Sequence, residues 1–215
     1  MHWHDPSLMT PLSRQPIRME RRPRHSPDQT KREILIGAEA QFQLHGYAGM
    51  SMRGLSEALG MSAATIHKYY LNKRGLAEAV CGVILARFFA HIESRIFTKE
   101  GTQVAFERFA EAIVDYHMGD VRMTPQVFEI YVFAAQSDWI VFREFRAQVV
   151  GLLRQILEEG VRRKDVRPTA IAQVEQVFDG FASIMHPLLL RDFPPDGNAR
   201  GQQLARFLFQ AVCLC

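Results

Sequence analysis

Apolar residues recur at helical spacing along almost the whole chain, and nowhere do they alternate with period two for long enough to make a strand. The first helical stretch begins at Asp28. Ile34, Leu35, Ala38 and Phe42 share one face of it, and Gly46 is placed to end it in a left-handed conformation. Ser51 is the N-cap of a short second helix with Leu55, Ala58 and Leu59 as inward positions, and Gly60 stops it. Ser62 caps a third helix carrying Thr65, Ile66 and Tyr69. Only Gly60-Met61-Ser62 separates the two, so residues 51–70 have the layout of a helix-turn-helix with its glycine in the turn.

The remainder reads as longer helices. Asn72 caps one that reaches about Phe97, where Gly101 follows as a break, and 102–118 forms the next, ending near Gly119. Thr124-Pro125, a cap followed by proline at the first helical position, opens 125–136. Asp138 opens 139–163, and Asp165 with Pro168 separates that helix from 168–191, which Pro187 should kink or terminate. A Pro194-Pro195-Asp196-Gly197 turn precedes the last amphipathic helix, 199–212. The expected fold class is all-α, with a three-helix head over 27–76 and a helical body over 77–215. Residues 1–26 carry Pro6, Pro11, Pro16 and Pro23 among scattered arginines and have no apolar period, so a disordered basic arm is expected. Three readings of that arm stay open: it touches DNA, it is a solvated tail, or translation begins at Met19.

Composition adds a division of labour. Residues 1–80 hold 11 Lys/Arg against 7 Asp/Glu, a net +4, whereas residues 81–215 hold 15 against 16, a net −1. Fourteen of the 15 phenylalanines lie in the second part. A small basic head therefore precedes a larger aromatic body, and the positive excess points weakly to a polyanion. No apolar run approaches the roughly 18 residues needed to span a bilayer, and Met1 to Gln29 has no apolar core of a secretory signal. Cys81, Cys213 and Cys215 are too few and too unevenly spaced for a disulfide scaffold, which argues for the cytoplasm. Cys213 and Cys215 themselves are expected at a frayed, inert terminus. The spacings of catalytic metal sites, phosphate-cradling glycine loops and the Gly-x-Ser-x-Gly nucleophile turn are missing, so no enzyme, cofactor or metal site is expected.

The candidate chemistry lies in the head. A helix that enters the major groove needs short side chains at its N-terminal end and polar or aromatic groups behind them to hold phosphates. Ser62, Ala63, Ala64 and Thr65 are short, and His67, Lys68 and Tyr69 follow on the next turn. Lys73 and Arg74 open the next helix, where the macrodipole disfavours cations unless an anion is bound.

Arg32-Glu33-Ile34-Leu35, Ala38, Ala40, Phe42, Gly46-Tyr47, Ser51-Met52-Arg53, Leu55, Ala58, Gly60-Met61-Ser62, Thr65-Ile66, Tyr69-Tyr70, Lys73 and Leu76 together resemble the DNA-binding domain of the tetracycline-repressor (TetR) family. The match covers about a quarter of the chain. It departs where the family commonly has Tyr at His67, a His/Phe pair at Tyr69-Tyr70, Gly at Ala64 and Ala at Ser56. Beyond residue 80 only the family's general layout is similar. The resemblance implies DNA contacts from Ser51, Met52, Arg53, Ser62, Ala63, Ala64, Thr65, His67, Lys68, Tyr69 and Lys73.

It also implies an effector cavity in the body. Candidate lining residues are Phe106, Phe109, Ile113 and His117 on one helix, and Phe128 and Tyr131 on the next. Trp139 and Phe142 follow, then Phe181, Met185 and His186. A third of these are expected to touch a ligand and the rest to be core, with His117 and His186 as the polar groups that orient it. Val174, Val177, Phe178 and Ile184, with Leu204, Phe207, Leu208 and Ala211, are the expected two-fold interface. The function expected is a homodimeric repressor that leaves a pseudo-palindromic operator in double-stranded DNA when a small, largely apolar effector shifts the helix after Asn72. The competing expectation is a helix-turn-helix protein with no effector.

Overall fold

The computed structural model describes residues 26–96, 100–118, 125–186, 189 and 197–214; the basic arm up to His25, Thr124, Pro187 and Cys215 lie outside them. Ser26 starts α1 (Pro27–Gly49) with a reciprocal cap. Its hydroxyl accepts from the Gln29 N–H at 3.2 Å, and Gln29 Oε1 accepts from the Ser26 N–H at 2.8 Å. Ile34, Ala38 and Phe42 are fully buried along one face. Gly46 leaves the helical path at φ +67°, and one further turn runs to Gly49 before the chain extends at Met50.

Ser51 and Ser62 cap α2 (Met52–Leu59) and α3 (Ala63–Tyr69), and Gly60 turns between them at φ +57°. One inward position differs from expectation: Ala58 is exposed and Ser56 is buried, its hydroxyl donating to the Arg53 carbonyl at 2.8 Å. Successive residues turn by about 100°, so an arc holding Leu55, Ser56 and Leu59 leaves Ala58 on its outer edge. Leu59 crosses α1 so closely that a Cβ on Gly37 would stand 2.5 Å from it.

Asn72 Oδ1 accepts from the Gly75 N–H at 2.8 Å and starts α4 (Lys73–Ile96). Contrary to the expectation that no apolar run comes near bilayer length, this helix is long and apolar enough to cross a bilayer by length and composition. Here its apolar face, from Leu76 through Ile84 and Phe88 to Ile96, is the centre of the core. Around it pack α5 (Thr102–Met118), α6 (Pro125–Gln136) and α7 (Ile140–Arg163), with α8 (Val174–Met185) and α9 (Gly197–Val212) closing the body over α5 and α7.

Three details of the body depart from the sequence reading. Asp138 does not cap α7: it sits at φ +48° and pairs with Arg143 at 2.8 Å, while the first free N–H, on Ile140, donates to Glu78 Oε1 of α4 at 3.1 Å. The stretch read as one helix over 168–191 is a 3-10 helix (Pro168–Gln173) followed by α8, which stops at Met185. His186 is extended (φ −73°, ψ 126°), as the residue before a proline is driven to be. Finally, the C-terminus is not frayed at Cys213. The Leu214 N–H donates to the Asp165 carbonyl at 3.0 Å, and the Arg167 N–H to the Val212 carbonyl at 3.1 Å, fixing an isolated bridge between Val166 and Cys213.

Candidate nucleic-acid interface

The N-termini of α2 and α3 present their caps outward. Ser51 Oγ accepts from the Gly54 N–H at 3.0 Å, and Ser62 Oγ accepts from the Thr65 N–H at 3.1 Å while lying 2.8 Å from Thr65 Oγ1. Ser51, Arg53, Ser62, Ala63, Ala64, His67 and Lys68 are exposed; Met52, Thr65 and Tyr69 are half-buried. Ile66 and Tyr70 turn inward and hold α3 against the core. Two exposed groups have protein partners that DNA would have to replace or tolerate. Arg53 pairs with Glu57 at 2.9 Å, and His67 Nδ1 lies 3.1 Å from the Leu71 carbonyl.

Lys73 is placed differently from the expectation for a phosphate ligand. Its half-buried ammonium donates to the carbonyls of Tyr47 (2.8 Å), Met50 (3.1 Å) and Ala48 (3.3 Å) and lies 4.8 Å from the Tyr47 ring centre. An ammonium has three protons, and all three are taken. The cation that was anomalous at the start of α4 is matched to the end of α1, where free carbonyls and the macrodipole favour positive charge. Arg74, its neighbour, is exposed with no ion pair or hydrogen bond among the described residues.

A second feature lies in the body. Phe88 from α4, Tyr131 from α6, and Phe142, Phe145 and Arg146 from α7 enclose a cavity of about 290 Å³. Phe178, Asp179, Ala182, Met185 and His186, from α8 and its cap, close the other side. Of the lining expected from sequence, Tyr131, Phe142, Met185 and His186 stand here. Phe106 and Phe109 instead pack edge-on against Phe181, at 5.6 and 4.7 Å, and all three are fully buried with Ile113. Trp139 stands edge-on to Phe133 at 5.7 Å, and Phe128 is half-buried away from the cavity. His117 is one layer behind the wall, edge-on to Phe88 at 4.8 Å. Its Nε2 is buried with no hydrogen-bond partner among the described residues, and burial, then the nearby His91, pull its pKa down to about 4. His186 is half-buried, edge-on to Phe142 at 5.9 Å, and its pKa is also lowered by burial.

The expected lining lacked Phe88, Phe145, Arg146, Asp179 and Ala182, and it lacked Phe178, which was expected at the two-fold interface. Their signal was a stripe at spacing three and four: 142, 145 and 146 on α7 face 178, 179, 182, 185 and 186 on α8, each with one charged residue among aromatics.

The expected dimer set is split. Val174, Val177, Phe178, Ile184 and Leu208 are buried within the subunit, because α8 and α9 spend those faces on α5, α7 and each other. Phe207 (66% exposed) and Ala211 face outward, with Leu204 half-buried beside them and Leu214 exposed beyond. The head and body meet where Tyr47 stacks on Phe133 of α6 at 5.1 Å, and Arg87 of α4 grips Glu39 of α1 through two bonds of 2.8 and 3.0 Å.

Residues 34–80 match the model of bacterial regulatory proteins of the tetR family, and residues 103–203 match a tetracyclin repressor-like C-terminal domain. The HTH-type transcriptional repressor AcnR of Corynebacterium glutamicum is 30% identical over 162 residues, covering 73% of this chain and 82% of the relative. A tetR-family regulator from Pectobacterium atrosepticum superposes with a TM-score of 0.65 at 20% identity, over 88% of this chain and 95% of that one. The fatty acid degradation regulator FadR of Bacillus halodurans gives 0.63 at 16% identity, over 87% and 97%. The geometry of the head, the helical body behind it and these likenesses agree: the chain is a DNA-binding transcriptional regulator that belongs to the tetR family.

Proposed function

We propose that this protein is a homodimeric repressor, acting in the bacterial cytoplasm, that grips a pseudo-palindromic operator through α3 and releases it when a small molecule fills the cavity bounded by α4, α6, α7 and α8. The observation that carries this reading is a set of links that runs from the cavity through α6 to the head. Tyr131 lines the cavity; two residues along α6, Phe133 stacks on Tyr47; and the Tyr47 carbonyl holds Lys73 at the start of α4. A ligand that binds one arrangement of this path better than another shifts operator affinity, with typical couplings of about 1–3 kcal/mol. The exposed Ser62, Ala63, Ala64, His67 and Lys68 read or approach the major groove, and Tyr69 contacts phosphate. Arg74 takes the phosphate role at the start of α4 that Lys73, committed to carbonyls, does not fill. Phe207, Ala211, Leu204 and Leu214 form the two-fold contact.

Selection of random duplex DNA by the purified protein tests this directly. Enrichment of a pseudo-palindrome, with binding weakened by Arg74→Ala and Tyr69→Phe and by salt, is the expected result. No enrichment from folded, dimeric protein sinks the operator reading. Effector-free regulation is the other outcome: operator affinity then stays constant when ligands that occupy the cavity are added at saturation.

A further inference from the structure

We infer that the cavity selects organic cations with a compact apolar body; this rests on the cavity being the effector site. Its wall is unusually rich in rings. Phe88 and Phe145 stand 5.4 Å apart, Tyr131 and Phe142 6.3 Å, and Phe178 closes the far side. Aromatic faces carry negative partial charge and attract cations most strongly where water is excluded. The protein already uses one of these faces in that way, because the Arg146 guanidinium lies 4.8 Å from the centre of the Phe178 ring.

The charges at the cavity decide the sign. Arg146 is the only cationic side chain among the described lining residues, and it forms a half-exposed pair with Glu175 at 2.6 Å that offsets its charge. Asp179, which stands at the rim of the lining and is solvent-exposed, has neither ion pair nor hydrogen bond among the described residues. His186 is held toward its neutral form by burial. The uncompensated charge is therefore a single carboxylate beside aromatic walls. An anionic ligand would meet an Arg146 whose charge is already offset by Glu175 and would sit near Asp179. A cation meets Asp179 and the ring faces with nothing to displace. A volume of about 290 Å³ corresponds to ten or so water-sized groups, which suits a ligand of roughly 10–15 non-hydrogen atoms.

The test compares three probes of one size on the purified full chain by calorimetric titration and thermal shift: benzyltrimethylammonium, its uncharged carbon isostere neopentylbenzene, and 3-phenylpropionate. The expected result is that the cation binds at least about tenfold tighter than the isostere, and that the anion binds weakest. Asp179→Asn should reduce the preference several-fold, to what the ring faces alone supply, while leaving affinity for the isostere unchanged. Arg146→Gln, which frees Glu175, should tighten the cation further; this second variant keeps the inference exposed should Asp179→Asn fold poorly. Equal or tighter binding of the isostere or the anion, a cation preference undiminished by Asp179→Asn, or no binding by any probe overturns it. Operator binding, measured in parallel, separates the two claims. If the isostere binds equally well and releases DNA, the effector reading stands and the cation selectivity falls. If the cation binds selectively and leaves operator affinity unchanged, the reverse holds.

Discussion

Lys73→Met keeps most of the side chain's length and removes its charge, so the loss falls on polar contacts and no large hole opens. The wild-type ammonium serves three carbonyls and one ring face. The Ala48 carbonyl is exposed, and water can replace the ammonium there. The bonds to Tyr47 and Met50 are part-buried, and a hydrogen bond from a charged donor contributes about 1.5–3 kcal/mol, at the low end for a group only half out of water. A cation over a ring adds about 0.5–1 kcal/mol. With allowance for non-additivity among neighbours, the expected loss is about 2–4 kcal/mol, or roughly 5–12 °C in melting temperature for a chain of this size. The assay pairs thermal or urea unfolding with the salt dependence of operator binding. A phosphate ligand behaves oppositely: its removal leaves stability within about 0.5 kcal/mol and lowers the slope of log K against log salt by about 0.9 per contact. Arg74→Ala is expected to show that second pattern. The reasoning is refuted if Lys73→Met melts with wild type while its salt slope falls.

His117, half-buried with its Nε2 shielded from water, makes stability depend on pH with a defined sign. Its folded-state pKa of about 4 lies below the ordinary 6.5, so the contribution is neutral above pH 6.5 and destabilises as acid protonates only the unfolded chain. The cost reaches about 2 kcal/mol at pH 5; urea midpoints at pH 7.5 and 5 should therefore converge in His117→Phe relative to wild type, and an unchanged pH slope would defeat the assignment. Tyr131→Phe removes a buried hydroxyl that has no partner among the described residues, so the ligand-free protein should gain about 1 kcal/mol, whereas a fall in melting temperature would reveal a partner for it. Phe207→Glu, on the exposed flank of α9, should give a folded monomer by sedimentation with unchanged helix content, and a surviving dimer would move the interface elsewhere.

Local signals were the readable part of the chain. Ser51, Gly60, Ser62, Asn72 and Pro125 mark helix ends through chemistry contained in a few residues, and the ends occur there. What could not be read depends on groups far apart in sequence. Nothing near Ile140 announces that Glu78 will serve its free N–H, and nothing near Lys73 announces the carbonyls at 47–50. The same holds for the cavity. Sequence spacing identified aromatic faces, but which face meets empty space and which meets Phe181 is set by how five helices cross. The five α8–α9 residues that proved internal show a related limit, since an apolar stripe gives no sign of whether its own subunit or another will cover it.

The clamp of Lys73 on the last turn of α1 has a mechanical consequence. It fastens the first turn of α4 to the head, so the flexible seam cannot lie between α3 and α4, and the long helix turns with the recognition surface as one lever. Phe88, on the cavity wall, stands 15 residues along that lever, about 22 Å at 1.5 Å per residue. A tilt of only about 5° about the cavity end would carry the head roughly 2 Å, which in a two-fold pair opens or closes the gap between recognition helices by about twice that. On the function proposed above, a ligand that merely wedges one ring aside would have enough reach to spoil the fit to two successive grooves.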